Sequence, residues 1–302
     1  MMIKIGSHVS NNGTDMLLGS INEALSYNAN SMMVYLGAPQ NSFRKPLNQL
    51  KIEEYQKVLH SNNMNNENVI VHCAYILNLA QPDEEKRQYA IDFVIRELRG
   101  THAIGAKYLV VHPGAHMKNG VMEGCSRIAD SLKIILEKTK DIDTVICLET
   151  MAGKGTECCS KFEEIKYIMD IVNNDRIKVC LDTCHIWDSG YDIVNKYEEV
   201  IKHFDNVIGI DNLKVLHIND SKNILESHKD RHENIGFGNI GFDTLCKFIF
   251  DERFIDKVKI LETPYIKVNE KVELPPYKYE IEMLLNKQFN EKLIDEIINN
   301  TK

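Results

Sequence analysis

Eight short runs of β-branched and apolar residues recur along the chain roughly 30 to 40 residues apart, and this spacing constrains the fold more than any other feature. They fall at residues 3–5, 31–35, 69–71, 108–111, 144–148, 178–181, 215–218 and 258–261. Continuous apolar character marks strands buried on both faces, as in a parallel sheet. Between the runs lie helical stretches with apolar residues at three- and four-residue spacing, such as 90–98 and 128–136. A strand–helix unit of about 30 or more residues is the βαβ module, and eight such units close a (β/α)8 TIM barrel. A doubly wound sheet is the structural alternative, but its G-x-G-x-x-G fingerprint does not follow the first run. No linker, low-complexity segment or charge block divides the chain, so residues 1–302 are read as a single α/β domain. The segment 275–302 opens on Pro275-Pro276-Tyr277, continues as a helix from Glu280 to Leu293, and is expected to close the barrel.

No apolar run approaches the roughly 20 residues that span a bilayer, and the first residues lack the charged-then-apolar form of a signal peptide. A cytoplasmic, monomeric protein without a membrane partner is expected. Eight cysteines (Cys73, Cys125, Cys147, Cys158, Cys159, Cys180, Cys184 and Cys246) include no C-x-x-C pair, which argues for reduced thiols rather than a disulfide framework or zinc ribbon. The formal net charge is −8, which by itself disfavours a nucleic-acid partner.

The residues at the strand ends carry the chemistry. His8 follows the first, His72 the third, His112 the fourth, Glu149 the fifth, Asp182 and His185 the sixth, His217 and Asp220 the seventh, and Glu262 the eighth. In a barrel these ends share one rim, the C-terminal one, where active sites are built. Asp230-Arg231-His232 adds an Asp-x-His pair whose side chains point the same way if the segment is extended. His72, His112, His185, His217, His232, Glu149, Glu262, Asp182 and Asp230 therefore form a candidate ligand set of nine. Imidazoles and carboxylates without paired thiolates suit zinc or manganese at a hydrolytic site. Nine groups exceed the three or four protein ligands of one catalytic zinc, so two or three ions are expected, an arrangement suited to phosphoester hydrolysis. Three divalent ions bring the net charge from −8 to −2 and concentrate positive charge in the pocket, which readmits DNA as a partner.

His60, His102, His203 and His228 sit in helical or loop contexts and are read as structural, and Cys180 and Cys184 as core thiols. His8, His116 and Asp220 are read either as ligands or as groups that orient ligands.

The chain resembles the endonuclease IV family of metal-dependent apurinic/apyrimidinic endonucleases of base excision repair. The resemblance rests on eight ordered strings across residues 3–287: Gly6-Ser7-His8-Val9-Ser10, His72-Cys73-Ala74-Tyr75-Ile76-Leu77-Asn78-Leu79, His112-Pro113-Gly114-Ala115-His116, Leu148-Glu149-Thr150 with Ala152-Gly153-Lys154-Gly155, Cys180-Leu181-Asp182-Thr183-Cys184-His185, His217-Ile218-Asn219-Asp220-Ser221-Lys222, Asp230-Arg231-His232 and Leu261-Glu262-Thr263-Pro264. It implies a TIM barrel with three zinc ions per chain, manganese being an alternative at one site. It further implies cleavage of the phosphodiester 5′ of an abasic site in double-stranded DNA to leave a 3′-hydroxyl, and 3′-end cleaning. By the same resemblance His72, His112 and Glu149 hold one ion; Glu149, Asp182, His217 and Glu262 a second; and His185, Asp230 and His232 a third. Glu149 is then a bridge and Glu262 the carboxylate that orients the attacking water, the two catalytic candidates. DNA would be bent and the damaged nucleotide flipped, with Tyr75 and Ile76 wedged into the stack and Arg44, Lys154, Lys222 and Arg231 on phosphates. Lys154 and Phe237 stand where many relatives carry Gln and Glu, and residues 37–44 do not register on the loop that inserts an arginine in some relatives. The competing expectation is a metal-dependent sugar isomerase or epimerase on a related barrel.

Overall fold

Each barrel strand forms where apolar residues run unbroken and ends where a histidine or carboxylate follows. The computed structural model describes residues 2–299; positions 1 and 300–302 of the expected 1–302 domain lie outside the described residues. The strands are β1 (Lys4–His8), β2 (Ser31–Val34), β3 (Val69–His72), β4 (Tyr108–Val111), β5 (Val145–Glu149), β6 (Ile177–Asp182), β7 (Leu213–His217) and β8 (Val258–Leu261). All pair in parallel, and β1 meets both β2 and β8, so the sheet closes into an eight-stranded barrel. The expected TIM-barrel fold is the observed one.

Helices wrap the outside: α1 (Met16–Ser26), α2 (Ile52–Ser61), α3 (Glu84–Ala103), α4 (Val121–Lys138), α5 (Phe162–Val172), α6 (Thr183–Asp188), α7 (Tyr197–Val207), α8 (Phe242–Phe250), α9 (Tyr277–Asn286) and α10 (Leu293–Asn299). α4 shows why they form, since Cys125, Ile128, Ala129, Leu132, Ile135 and Leu136 recur at helical spacing and all are buried. Asp83 caps α3 by accepting the Lys86 backbone N–H at 3.1 Å. Gly6 allows β1 to lie close to β2; a Cβ there would sit 1.8 Å from the Ser31 carbonyl oxygen.

Two sequence expectations need correction. Asp182 and His185, both expected at the end of the sixth strand, divide: Asp182 ends β6, and His185 lies in the short helix α6, which Asp182 caps through the His185 N–H at 2.9 Å. The C-terminal helix does not run from Glu280 to Leu293. It is α9 and α10, separated at Lys287, whose φ of 52° is left-handed and ends the first helix. Among the described residues all eight cysteines are free thiols, seven of them buried, and no helix is long and apolar enough to cross a membrane.

Glu280 of α9 is fully buried and ties that helix to the rim. Its carboxylate accepts hydrogen bonds from the Thr263 hydroxyl, the Asn234 amide and the Ile235 N–H. Burial pushes its pKa up to about 7, so the folded state holds a proton that the unfolded chain releases near pH 4.5. A raised acid pKa lowers stability as pH rises from about 4.5 to 7, by on the order of 3 kcal/mol at most. Glu280→Gln is expected to melt higher than wild type at pH 8 and to lose that advantage by pH 5. An advantage independent of pH in paired melting curves would contradict this role.

Candidate metal centre

The pleat of the strands explains how six of the nine candidate ligands meet. Ile70, Val110, Cys147, Cys180, Val215 and Ile260 fill the barrel interior. Two residues further along each strand, on the same face by the period-two alternation, stand His72, His112, Glu149, Asp182, His217 and Glu262. The register sets them side by side, with Asp182 opposite His217 and Glu149 opposite Cys180. The other three come from α6 (His185) and from the connection between β7 and α8 (Asp230 and His232).

Glu149 lies at the centre of this rim. One carboxylate oxygen, Oε2, is 3.1 Å from His72 Nε2 and 3.0 Å from His112 Nε2. The other, Oε1, is 2.9 Å from His217 Nδ1 and 3.4 Å from His185 Nδ1. His217 Nδ1 also lies 3.0 Å from Glu262 Oε2 and 3.8 Å from Asp182 Oδ2. Asp230 Oδ1 stands 3.0 Å from His185 Nε2 and 3.4 Å from His232 Nε2. The donor atoms thus gather into overlapping groups: His72, Glu149 and His217; Glu149, Asp182, His217 and Glu262; and His185, Asp230 and His232. Cys184 joins Asp182 and His232 in a further group.

The donor chemistry fits divalent cations. His72, His185 and His232 place Nδ1 against the main-chain carbonyls of Cys73, Thr150 and Glu262, at 2.7, 2.8 and 3.2 Å. A carbonyl oxygen only accepts, so Nδ1 carries a proton in each ring and Nε2 is the nitrogen turned toward the site, where a cation would take the place of its proton. Among the described residues the buried Nε2 atoms of His217 and His232 have no hydrogen-bond partner. Electrostatics agree. Burial opposes ionisation of Glu149, yet the imidazoles of His217 and His112 hold its carboxyl well below the ordinary glutamate value. Burial pushes Asp182 up in spite of His185 and His232. Burial would also lower His185, but Asp182 and Asp230 hold it well above the ordinary histidine value. Protons are thus drawn onto a site rich in carboxylates, and cations would replace them.

The rest of the candidate residues divide. Asp230 is not extended, since its φ is 54°, so alternation is not what aligns it with His232. Asp220 is not a ligand. Its carboxylate is clasped by the N–H groups of Ser221, Gly236, Gly238, Ile240 and Gly241 and folds the loop behind His232. His116 accepts the Gly120 N–H, and His8 packs edge-on to Tyr35. Arg44 is turned inward rather than toward a phosphate, paired with buried Glu97 at 2.7 Å and bonded to the Ala38, Asn41 and Phe43 carbonyls. Phe237 packs on Phe289. Tyr75 and Ile76 are half exposed in the loop after β3, and Lys154, Lys222 and Arg231 are exposed in the loops after β5 and β7.

Sequence reasoning missed Asn219. Fully buried, its amide N–H groups reach Asp182 Oδ2 at 2.7 Å and Glu262 Oε2 at 3.3 Å, while its carbonyl accepts the Glu262 N–H at 2.9 Å. Its position inside the His217–Lys222 string was the available signal.

A closed barrel with an imidazole and carboxylate rim of this kind defines a class, and the family model described as xylose isomerase-like TIM barrel matches residues 21–287. The chain is 50% identical to the "Probable endonuclease 4" of Aster yellows witches'-broom phytoplasma, covering 97% of this chain and 99% of the relative. It is 46% identical to the protein of the same name from Bacillus subtilis, covering 98% and 99%. The chain therefore belongs, within that class, to the endonuclease IV family of enzymes. The fold also superposes on endonuclease IV from Thermus thermophilus with a TM-score of 0.81 at 24% identity, covering 94% of this chain and 98% of that one. A D-tagatose 3-epimerase-like protein superposes at 0.70 with 20% identity, covering 99% of each chain. The barrel alone therefore does not separate endonuclease from epimerase; the full-length identity does.

Because Glu149 touches four imidazoles through two oxygens, Glu149→Ala is expected to lower the divalent metal bound per chain by more than one ion. Elemental analysis giving the wild-type content would contradict its bridging position.

Proposed function

We propose that this protein is an abasic-site endonuclease that hydrolyses the DNA phosphodiester 5′ of an apurinic/apyrimidinic site and leaves a 3′-hydroxyl, acting with three zinc ions. The observation that carries this reading is the carboxylate of Glu149 shared between two neighbouring donor groups, with a third group formed by His185, Asp230 and His232 alongside. In this reading His72, His112 and Glu149 hold one ion, Glu149, Asp182, His217 and Glu262 a second, and His185, Asp230 and His232 the third. Bound ions of this kind lower the pKa of water from 15.7 toward about 7 and neutralise charge on the scissile phosphate.

The chain's own residues do the rest. Although burial opposes it, His217 keeps Glu262 ionised, and Asn219 fixes it from both backbone and side chain. A carboxylate held this way orients the attacking water and takes its proton. Its side chain is 17% exposed while that of Asp182 is sealed, so Glu262 is the acid that faces the substrate. Asp182, buried and capping α6, holds the second site rigid. Half-exposed Tyr75 and Ile76 are the wedge that props apart the base stack, where unstacking costs least because a base is already missing. Lys154, Lys222 and Arg231 supply phosphate contacts that set register on the duplex.

The test is incubation of the zinc-loaded protein with a duplex carrying one tetrahydrofuran residue. A single incision on its 5′ side is expected, and its absence refutes the proposal. Glu262→Gln is expected to slow incision by about 10²–10⁴-fold while leaving duplex binding within a few-fold, since the groove contacts are untouched. Equal loss of binding and cleavage in gel-shift and incision assays would remove Glu262 from the chemistry.

A further inference from the structure

The connection that delivers Asp230 and His232 passes through three non-glycine residues in the left-handed region: Glu226, His228 and Asp230, with φ of 62°, 53° and 54°. L side chains avoid this conformation, which persists only where the surroundings impose it. Here the end of α6 imposes it, one bond for each residue. The Trp187 carbonyl accepts the Glu226 N–H at 3.2 Å and the Asp188 carbonyl accepts the His228 N–H at 3.0 Å. The Asp188 side chain takes the third, with Oδ2 accepting the Asp230 N–H at 2.8 Å.

Asp188 is fully buried. Besides the Asp230 N–H, its carboxylate accepts the Ser221 hydroxyl on Oδ1 at 2.7 Å and the Asn223 amide on Oδ2 at 3.0 Å. All three donors are neutral, which is an expensive way to bury a carboxylate. Packing alone is served better by an apolar residue. The acceptor is needed because Asp230 must be held where its Oδ1 meets His185 Nε2 and His232 Nε2. His185 stands three residues before Asp188 on the same helix, so one rigid piece carries a ligand and fixes the backbone of the ligand opposite it.

We propose that Asp188 is a positioning residue for the ion site formed by His185, Asp230 and His232, acting by locking Asp230 in its left-handed conformation. The proposal rests on the metal-centre reading given above. Asp188 touches neither substrate nor ion. It sets the affinity of this one site and leaves the two sites built on Glu149 unchanged.

The test is zinc titration of the whole protein against a competing chelator, with Asp188→Ala and Asp188→Asn beside the wild type. The wild type is expected to hold three ions. Asp188→Ala should hold two at wild-type affinity and the third at least about tenfold more weakly, the range for loss of a group that orients a ligand. Asn keeps an acceptor for the Asp230 N–H and should restore the third ion to within a few-fold. Unchanged affinity for all three ions in Asp188→Ala overturns the role of Asp188 and leaves the metal-centre reading standing. Equal loss of all three likewise overturns a site-specific role. A wild type that takes up no third ion refutes the metal-centre reading itself. Hydrogen exchange of the metal-free wild type provides a second arm that needs no variant to fold. The Asp230 amide should be protected before any metal is added, and exchange at the rate of an open loop overturns the latch.

Discussion

The structure depends on how a single buried carboxylate is compensated. Glu149 ends β5 with almost no exposure, and an isolated ionised carboxylate there would be prohibitively costly. Four imidazoles from four other elements answer it, each within 3.4 Å of one of its two oxygens. That arrangement exists only when the barrel is closed, because β3, β4, β6 with α6, and β7 must all end at one height. The local register and the chemistry of the rim are therefore the same constraint seen at two scales.

Around this centre the side chains are held rather than merely near. Nδ1 contacts to main-chain carbonyls orient three histidines, Asn219 bridges Asp182 and Glu262, and Asp182 is pinned as the cap of α6. Supports of this kind hold a ligand geometry within the tolerance that catalysis needs. The apolar layer below, from Met33 to Ile260, keeps the floor of the pocket dry and the strands in step.

Much of this was legible in the sequence, for physical reasons. Strands buried on both faces read as unbroken apolar runs, and a ligand two residues beyond the inward-facing Val110 or Cys147 follows from the pleat. Side-chain partnership across loops escaped the sequence. Arg44 reads as a free rim cation because its partner, Glu97, lies 53 positions away in the chain. Asp230 and His232 looked aligned by strand alternation, whereas a left-handed residue held by Asp188 brings them together. The break between α9 and α10 is hidden because no glycine or proline marks it; Lys287 itself takes the left-handed conformation.

The same barrel superposes on an epimerase-like protein, so the fold does not decide the chemistry, and the proposed function stands on the number of cations that the rim would gather. Anomalous diffraction at the zinc edge from crystals grown with zinc measures that number directly. The account predicts three peaks per chain, with Glu149 in contact with two of them and Asp230 and His232 at the third. One peak, or peaks away from these side chains, would contradict it.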